Sequence, residues 1–186
     1  MALQACYSGR NAKGRDMEEL IDVYDRDRNF TGLTVPREGA RMGEGQYMLY
    51  VLAIIQDKQG RILITQRSQE KHWAAGWWEV TGGGVSAGET SQEAIVRELA
   101  EEVGLDVADY PLERIYTYEN VDLASGDNYI VDIYRFQLDF TVDDITLQDS
   151  EAVACKLATF DEIEQLADQG IFLHFSRIKQ ALANLR

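Results

Sequence analysis

Apolar and polar positions alternate along most of this chain, and the period of that alternation changes from place to place. Leu20–Asp25 and Phe30–Val35 are two short strand-like runs around Asp27-Arg28-Asn29, which predicts a β-hairpin. Gln46–Gln56 (QYMLYVLAIIQ) is nearly continuously apolar and reads as a central strand. After the turn Asp57–Gly60, Arg61–Arg67 (RILITQR) alternates as the next strand, and Trp77–Thr81 is a brief one. Leu112–Glu119, Asn128–Phe140 and Ala152–Phe160 read as further strands. The period lengthens to that of a helix over 91–103, from Asp161 (as cap) to Asp168, and over roughly 173–185.

One helix set between strands, with two more at the end, predicts an α/β fold. Its mixed sheet is covered on both faces and preceded by the hairpin. A chain of 186 residues suits one domain, here 17–186, behind a polar, aperiodic leader at 1–16 that reads as disordered.

The segment GGVSAGETSQEAIVRELAEEVGL, residues 83–105, carries the chemistry. Thr90 and Glu93 form a capping box, and Gly104 is a natural left-handed C′ residue. Ile95, Val96, Leu99, Ala100 and Val103 fall in one apolar arc of the helix, while Glu98, Glu101 and Glu102 share another. Three like charges that close repel each other, and a bound cation removes the cost. Carboxylates suit Mg²⁺ or Mn²⁺, hard ions that are usually shared with substrate phosphates. The Gly82–Gly84 run lets the backbone turn sharply before the loop. Glu89 on that loop, paired with Arg97, would fix the carboxylate geometry.

Spaced G-x5-E-x7-R-E-L-x-E-E-x-G-L from Gly83 to Leu105, these residues resemble the signature box of the Nudix hydrolases. The resemblance implies an α/β/α sandwich and a pyrophosphohydrolase that cleaves nucleoside diphosphates linked to another group. It implies metal ligands and a general base among Glu98, Glu101 and Glu102, with the Gly82 carbonyl completing the metal shell. Gly83 and Gly104 are its fixed glycines, and homodimers are frequent among similar proteins. Outside the box, the layout over roughly 17–170 is similar to bacterial Nudix proteins related to isopentenyl-diphosphate isomerase. That isomerase needs a catalytic cysteine and a histidine-rich metal site. This chain has two cysteines, neither in a suitable loop, and only His72 and His174, so the hydrolase is favoured. A catalytically silent, metabolite-binding module is the other alternative, although every box carboxylate is present.

Charge narrows the partners. With 18 basic and 32 acidic side chains the formal net charge is −14, which argues against nucleic acid and anionic membranes. It also calls for local cations where an anionic substrate docks. No apolar stretch spans a bilayer, and Cys6 and Cys155 do not form a disulfide framework, so a reducing cytoplasm is the default. Glu79 and Glu151 are candidates for further carboxylates at the metals. Trp73 and Trp77 offer surfaces for a flat group, with Arg67 or Lys71 near its phosphates. Arg37 and Arg41, after the hairpin, could reach substrate across a dimer.

Overall fold

The computed structural model describes residues 19–185; the leader at 1–16 and Cys6 lie outside them. Its spine is β3 (Met48–Gln56), which runs parallel to β8 (Tyr129–Gln137) from Met48↔Tyr129 to Gln56↔Gln137. β8 carries β7 (Glu113–Asn120) antiparallel on its far side. The opposite edge of β3 is shared between two strands. Gln56 pairs with Ile62 of β4 (Ile62–Arg67), and Tyr50–Leu52 pair with β6 (Gly82–Gly84). β4 in turn pairs with β5 (Trp78–Glu79) and β9 (Ala152–Ala158).

Side-chain alternation along these strands makes two cores. Leu49, Val51, Ala53 and Ile55 of β3 face Ala94, Ile95, Leu99 and Val103 of α1 (Ser91–Glu102) or the residue after it. Leu52 and Ile54 face the opposite way. They meet Ile163 of α2 (Phe160–Asp168) and Ile178 and Ala181 of α3 (Phe175–Ala183). The sheet lies between helical layers, covered on both faces as the patterning predicts and arranged as the α/β/α sandwich that the resemblance implies. At about 1.5–3 kcal/mol for each fully buried aliphatic side chain, these two cores hold the sheet rigid beneath the loops.

The hairpin forms as expected, from β1 (Leu20–Tyr24) and β2 (Phe30–Pro36). Ile21 and Val23 pack on Met42 and Met48, whereas β2 is mostly exposed, with Phe30 and Leu33 on the surface. Polar contacts fasten it to the domain, beginning with a backbone pair between Tyr24 and Tyr47. The Ala87 N–H donates to the Leu20 carbonyl at 2.9 Å, and the Gly88 N–H donates to Asp22 Oδ2 at 2.7 Å. Arg28, held at φ +67°, donates twice to the wholly buried Asp132, at 2.9 and 2.6 Å.

Four elements differ from the sequence expectation. The triple glycine is not a sharp turn but strand β6, because β3 offers an unpaired edge that only a chain without side chains can approach so closely. Ala94 takes the buried place expected of Ala100, which is exposed; the buried face of α1 is rotated toward the side bearing Glu98. α2 starts at Phe160 and is capped by Thr159 rather than Asp161. Glu162 closes a capping box with Thr159, so β9 ends at Ala158. β8 ends at Gln137, three residues before the expected Phe140.

Candidate active site

The acidic helix is fixed at both ends by local chemistry. The Thr90 hydroxyl accepts from the Glu93 N–H at 3.2 Å, and Glu93 returns a carboxylate to the Thr90 N–H at 2.9 Å. Gly104 sits at φ +71°, and the Leu105 N–H reaches back to the Leu99 carbonyl at 3.0 Å. Between these caps, α1 presents its carboxylates to the glycine strand. A Cβ on Gly83 would stand 2.3 Å from Glu98 Oε1, and one on Gly82 would stand 2.1 Å from the Val51 carbonyl oxygen.

Arg97 organises this face. Its Nε and Nη2 grip both oxygens of Glu89 at 2.8 and 2.9 Å. Nη1 donates to Glu98 at 2.9 Å and to Glu101 at 3.2 Å, and Nη2 also donates to the Gly84 carbonyl at 3.0 Å. A guanidinium has five N–H donors, and five acceptors surround this one. No donor is left for a substrate, so Arg97 positions the carboxylates rather than touching the reacting atoms. Glu89 is itself held by the Ser86 N–H at 3.0 Å.

The carboxylates differ in environment. Glu98 is buried, and its carboxyl is pushed up by that burial, with Arg97 and then Arg37 pulling the other way. Glu102 is pushed up to about 8, first by burial and then by the negative charges of Glu98, Glu151 and Glu79. No cation bonds to it among the described residues; Lys71 acts only at a distance. Glu79 is likewise raised by burial, against its ion pair with Arg67 at 2.8 Å. Glu151 pairs with Lys71, and Glu101 stands half in solvent with only Arg97 for company.

The charges of Glu79, Glu98 and Glu151 therefore all reach Glu102, although the four residues come from β5, α1 and the turn before β9. Such a set suits a divalent cation, because a cation favours the ionised forms that burial and mutual repulsion oppose. Among the described residues, no three acidic, histidine or cysteine side chains are already drawn together as a cage. Arg97, Arg67 and Lys71 hold Glu98, Glu79 and Glu151 in ion pairs.

The aromatic candidates lie apart. Trp73 is 61% exposed, with the Arg67 guanidinium 5.7 Å from its ring and bonded to its carbonyl. Trp77 is also exposed, whereas Trp78 packs into the second core. His72 is exposed. His174 caps α3 at φ +57°, with Nδ1 3.2 Å from the Tyr118 hydroxyl. Cys155 lies on β9 opposite Thr65, and burial raises its thiol, which does not suit a nucleophile. Arg37, expected to reach across a dimer, sits in its own chain beside Gly84 and near Glu98; no periodicity in the sequence points there.

Comparison with known proteins agrees with this geometry. The NUDIX domain family matches residues 46–175. An uncharacterized Nudix hydrolase of Listeria monocytogenes is 30% identical over 91% of this chain and 96% of its own length. DR0079 of Deinococcus radiodurans superposes with a TM-score of 0.66 at 20% identity, covering 81% of this chain and 90% of that one. The NUDIX domain of Shewanella oneidensis NrtR, solved with ADP ribose, gives 0.60 at 19% identity, covering 82% and 94%. The two structures speak for the fold alone.

Proposed function

Because the chain belongs to the Nudix hydrolase family, and is a pyrophosphohydrolase by that membership, we propose that it cleaves the diphosphate of a nucleoside diphosphate derivative, or of a similar small organic diphosphate, with a divalent cation. The observation that carries this reading is the geometry of the box: α1 lays Glu98 against Gly83 while Arg97 holds Glu89, Glu98 and Glu101 together, and the charges of Glu79, Glu98 and Glu151 reach Glu102.

Glu98 and Glu102, with Glu101 at the helix end and the Gly82 carbonyl, would hold Mg²⁺ or Mn²⁺; Glu79 and Glu151 are placed to join them. When bound, the cation neutralises the diphosphate and acidifies an attacking water. The chain's own residues do the rest. Arg97 and Glu89 keep the Glu98 and Glu101 carboxylates in register. Glu102, without an ion pair among the described residues, would take the proton of the water once a cation beside it has ionised its carboxyl. The side-chain-free β6 would let the substrate phosphates approach backbone. Arg67 and Lys71, paired with Glu79 and Glu151, would meet the rest of the substrate, with the exposed Trp73 and Trp77 farther out on the same loop. Within the described residues no helix is long and apolar enough to cross a membrane. The protein would act in the cytoplasm, and the exposed face of β2, with Phe30 and Leu33, is where a second copy would pair.

A screen of nucleoside triphosphates, sugar nucleotides, dinucleotides and isoprenoid diphosphates, with Mg²⁺, Mn²⁺ or EDTA, tests the proposal. Phosphate-containing product should appear only with metal. No turnover of any of them would leave a silent binding module, and dimethylallyl diphosphate formed from isopentenyl diphosphate would move the assignment to an isomerase.

A further inference from the structure

A cation outside the signature box lies against the glycine strand, across it from Glu98. Arg37 leaves the hairpin just after β2, nine residues before the family match begins at 46. A Cβ on Gly84 would meet its Cζ at 2.9 Å and its two terminal nitrogens at 3.1 Å, so the guanidinium lies flat against the glycine strand. It also lies 5.7 Å from the centroid of the Tyr50 ring. Tyr50 is braced edge-on by Tyr129, with centroids 5.6 Å apart at 77°. The charge of Arg37 is felt at Glu98 across β6, because Gly84 faces Arg37 while the adjacent Gly83 faces Glu98, and neither carries a side chain to stand between them.

Its commitments set Arg37 apart from the other cations near the site. Arg97 is saturated, Arg67 is tied to Glu79, and Lys71 is tied to Glu151. The ion-pair partner of Arg37 is Glu19, itself about half exposed, at 2.8 Å. Exposed pairs of this kind hold weakly and exchange readily for a better anion. In a chain of net charge −14, a guanidinium against the glycine strand, whose one ion pair among the described residues is with a half-exposed glutamate, is well placed for a phosphate.

We propose that Arg37 binds the substrate diphosphate in the same chain that supplies the box, and that the Tyr50–Tyr129 pair beside it carries a flat nucleobase. The hairpin then completes the site from within one protomer. This assignment rests on the diphosphate-cleaving reading above and adds the residues that grip the substrate.

Calorimetric titration of the full chain with Mg²⁺ tests it, using two probes that cannot be hydrolysed. Methylenediphosphonate mimics the diphosphate alone, and α,β-methylene-ADP adds adenosine. Arg37→Ala should weaken both probes by one common factor, roughly 10- to 100-fold for the loss of a charge-assisted pair. Arg37→Lys, which keeps the charge but not the fork, should recover part of that loss. Glu19→Ala should weaken neither. Tyr50→Leu should weaken only α,β-methylene-ADP, by about tenfold for a lost stacking surface. Wild-type affinity in Arg37→Ala overturns the assignment, as does an equal loss in Glu19→Ala, which would make Arg37 a hairpin fastener. A Tyr50→Leu chain that loses both probes equally overturns the nucleobase half. A wild-type chain that binds and turns over with Mg²⁺ while Arg37→Ala is unaffected sinks this inference alone. A wild-type chain that binds neither probe sinks the diphosphatase reading as well.

Discussion

Replacing the three glycines of β6 with alanine, one at a time, separates fold from chemistry within three consecutive residues. None of the three has positive φ, so space alone decides the outcome. At Gly82 the new Cβ meets backbone: the Val51 carbonyl oxygen at 2.1 Å and the Leu52 Cα at 2.8 Å. That oxygen belongs to the central strand, so relief requires parting β6 from β3. The cost is about 1–3 kcal/mol or more, and a Tm lower by roughly 2–4 °C per kcal/mol for a chain of this length. At Gly83 the nearest atoms are Glu98 Oε1 at 2.3 Å and Cδ at 2.4 Å, the far end of a flexible side chain. The carboxylate must retreat by roughly 1 Å to reach ordinary contact, and a displacement of that size costs about 100-fold in rate. Gly83→Ala should therefore keep its Tm within about 3 °C of wild type while losing about 100-fold or more in kcat. At Gly84 the clash falls on the Arg37 guanidinium, so Gly84→Ala should raise KM more than it lowers kcat. Thermal melts and steady-state kinetics on whichever diphosphate the metal screen yields measure all three. A Gly83→Ala enzyme within about threefold of wild-type kcat, or one as unstable as Gly82→Ala, would refute the reasoning.

Other expectations follow from the buried charges. Glu102→Gln should lower kcat at least about 100-fold. It should also raise the metal-free Tm at pH 8, because it removes one of four mutually repelling carboxylates; an active variant, or one of lower Tm, counts against the site. Without metal, the folded Glu102 carboxyl keeps a proton that the unfolded chain releases near 4.5, so its contribution to stability declines as pH rises from about 4.5 toward about 8. The slope is at most about 1.4 kcal/mol per pH unit, read as the difference between wild type and Glu102→Gln in urea melts from pH 5 to 8. That difference sets aside His174, whose lowered pKa acts with the opposite sign; a difference independent of pH would contradict the assignment. Arg28→Ala leaves the buried Asp132 with Thr117 and a long 3.4 Å contact to Arg114, and should cost roughly 2–4 kcal/mol of unfolding free energy. An Arg28→Ala chain with wild-type urea stability would show that the pair does not anchor the hairpin.

Much of this was legible in the chain because it is local. The caps at Thr90 and Gly104 and the shared arc of Glu98, Glu101 and Glu102 follow from helix periodicity and adjacent residues. The strands are equally plain, β3 from its continuous apolar run and β4 from its alternation. Most of the differences arise where the deciding partner lies far along the sequence. Glycines carry no pattern, so the pairing of Gly82–Gly84 is set by the open edge of β3. The ties of Arg67 to Glu79 and of Lys71 to Glu151 depend on how β5 and β9 flank β4. Arg37 sits in a polar connection without period, and only the docking of the hairpin brings it to Gly84. Thr159 escaped notice because Phe160 and Asp161 follow it, and Asp161 is also a good cap type.

The fastening of the amino-terminal ribbon also bears on the order in which the molecule assembles. β1 and β2 close locally across a tight turn, yet Asp22 meets Gly88 66 positions downstream and Arg28 meets Asp132 104 positions downstream. Contacts so distant form late in folding. The ties of Leu20 and Asp22 to the loop holding Glu89 can close once that loop is made, whereas the tie of Arg28 waits for β8. A nascent chain halted before residue 132 would carry the whole box and still leave the tip of its first strand pair without its buried counter-charge.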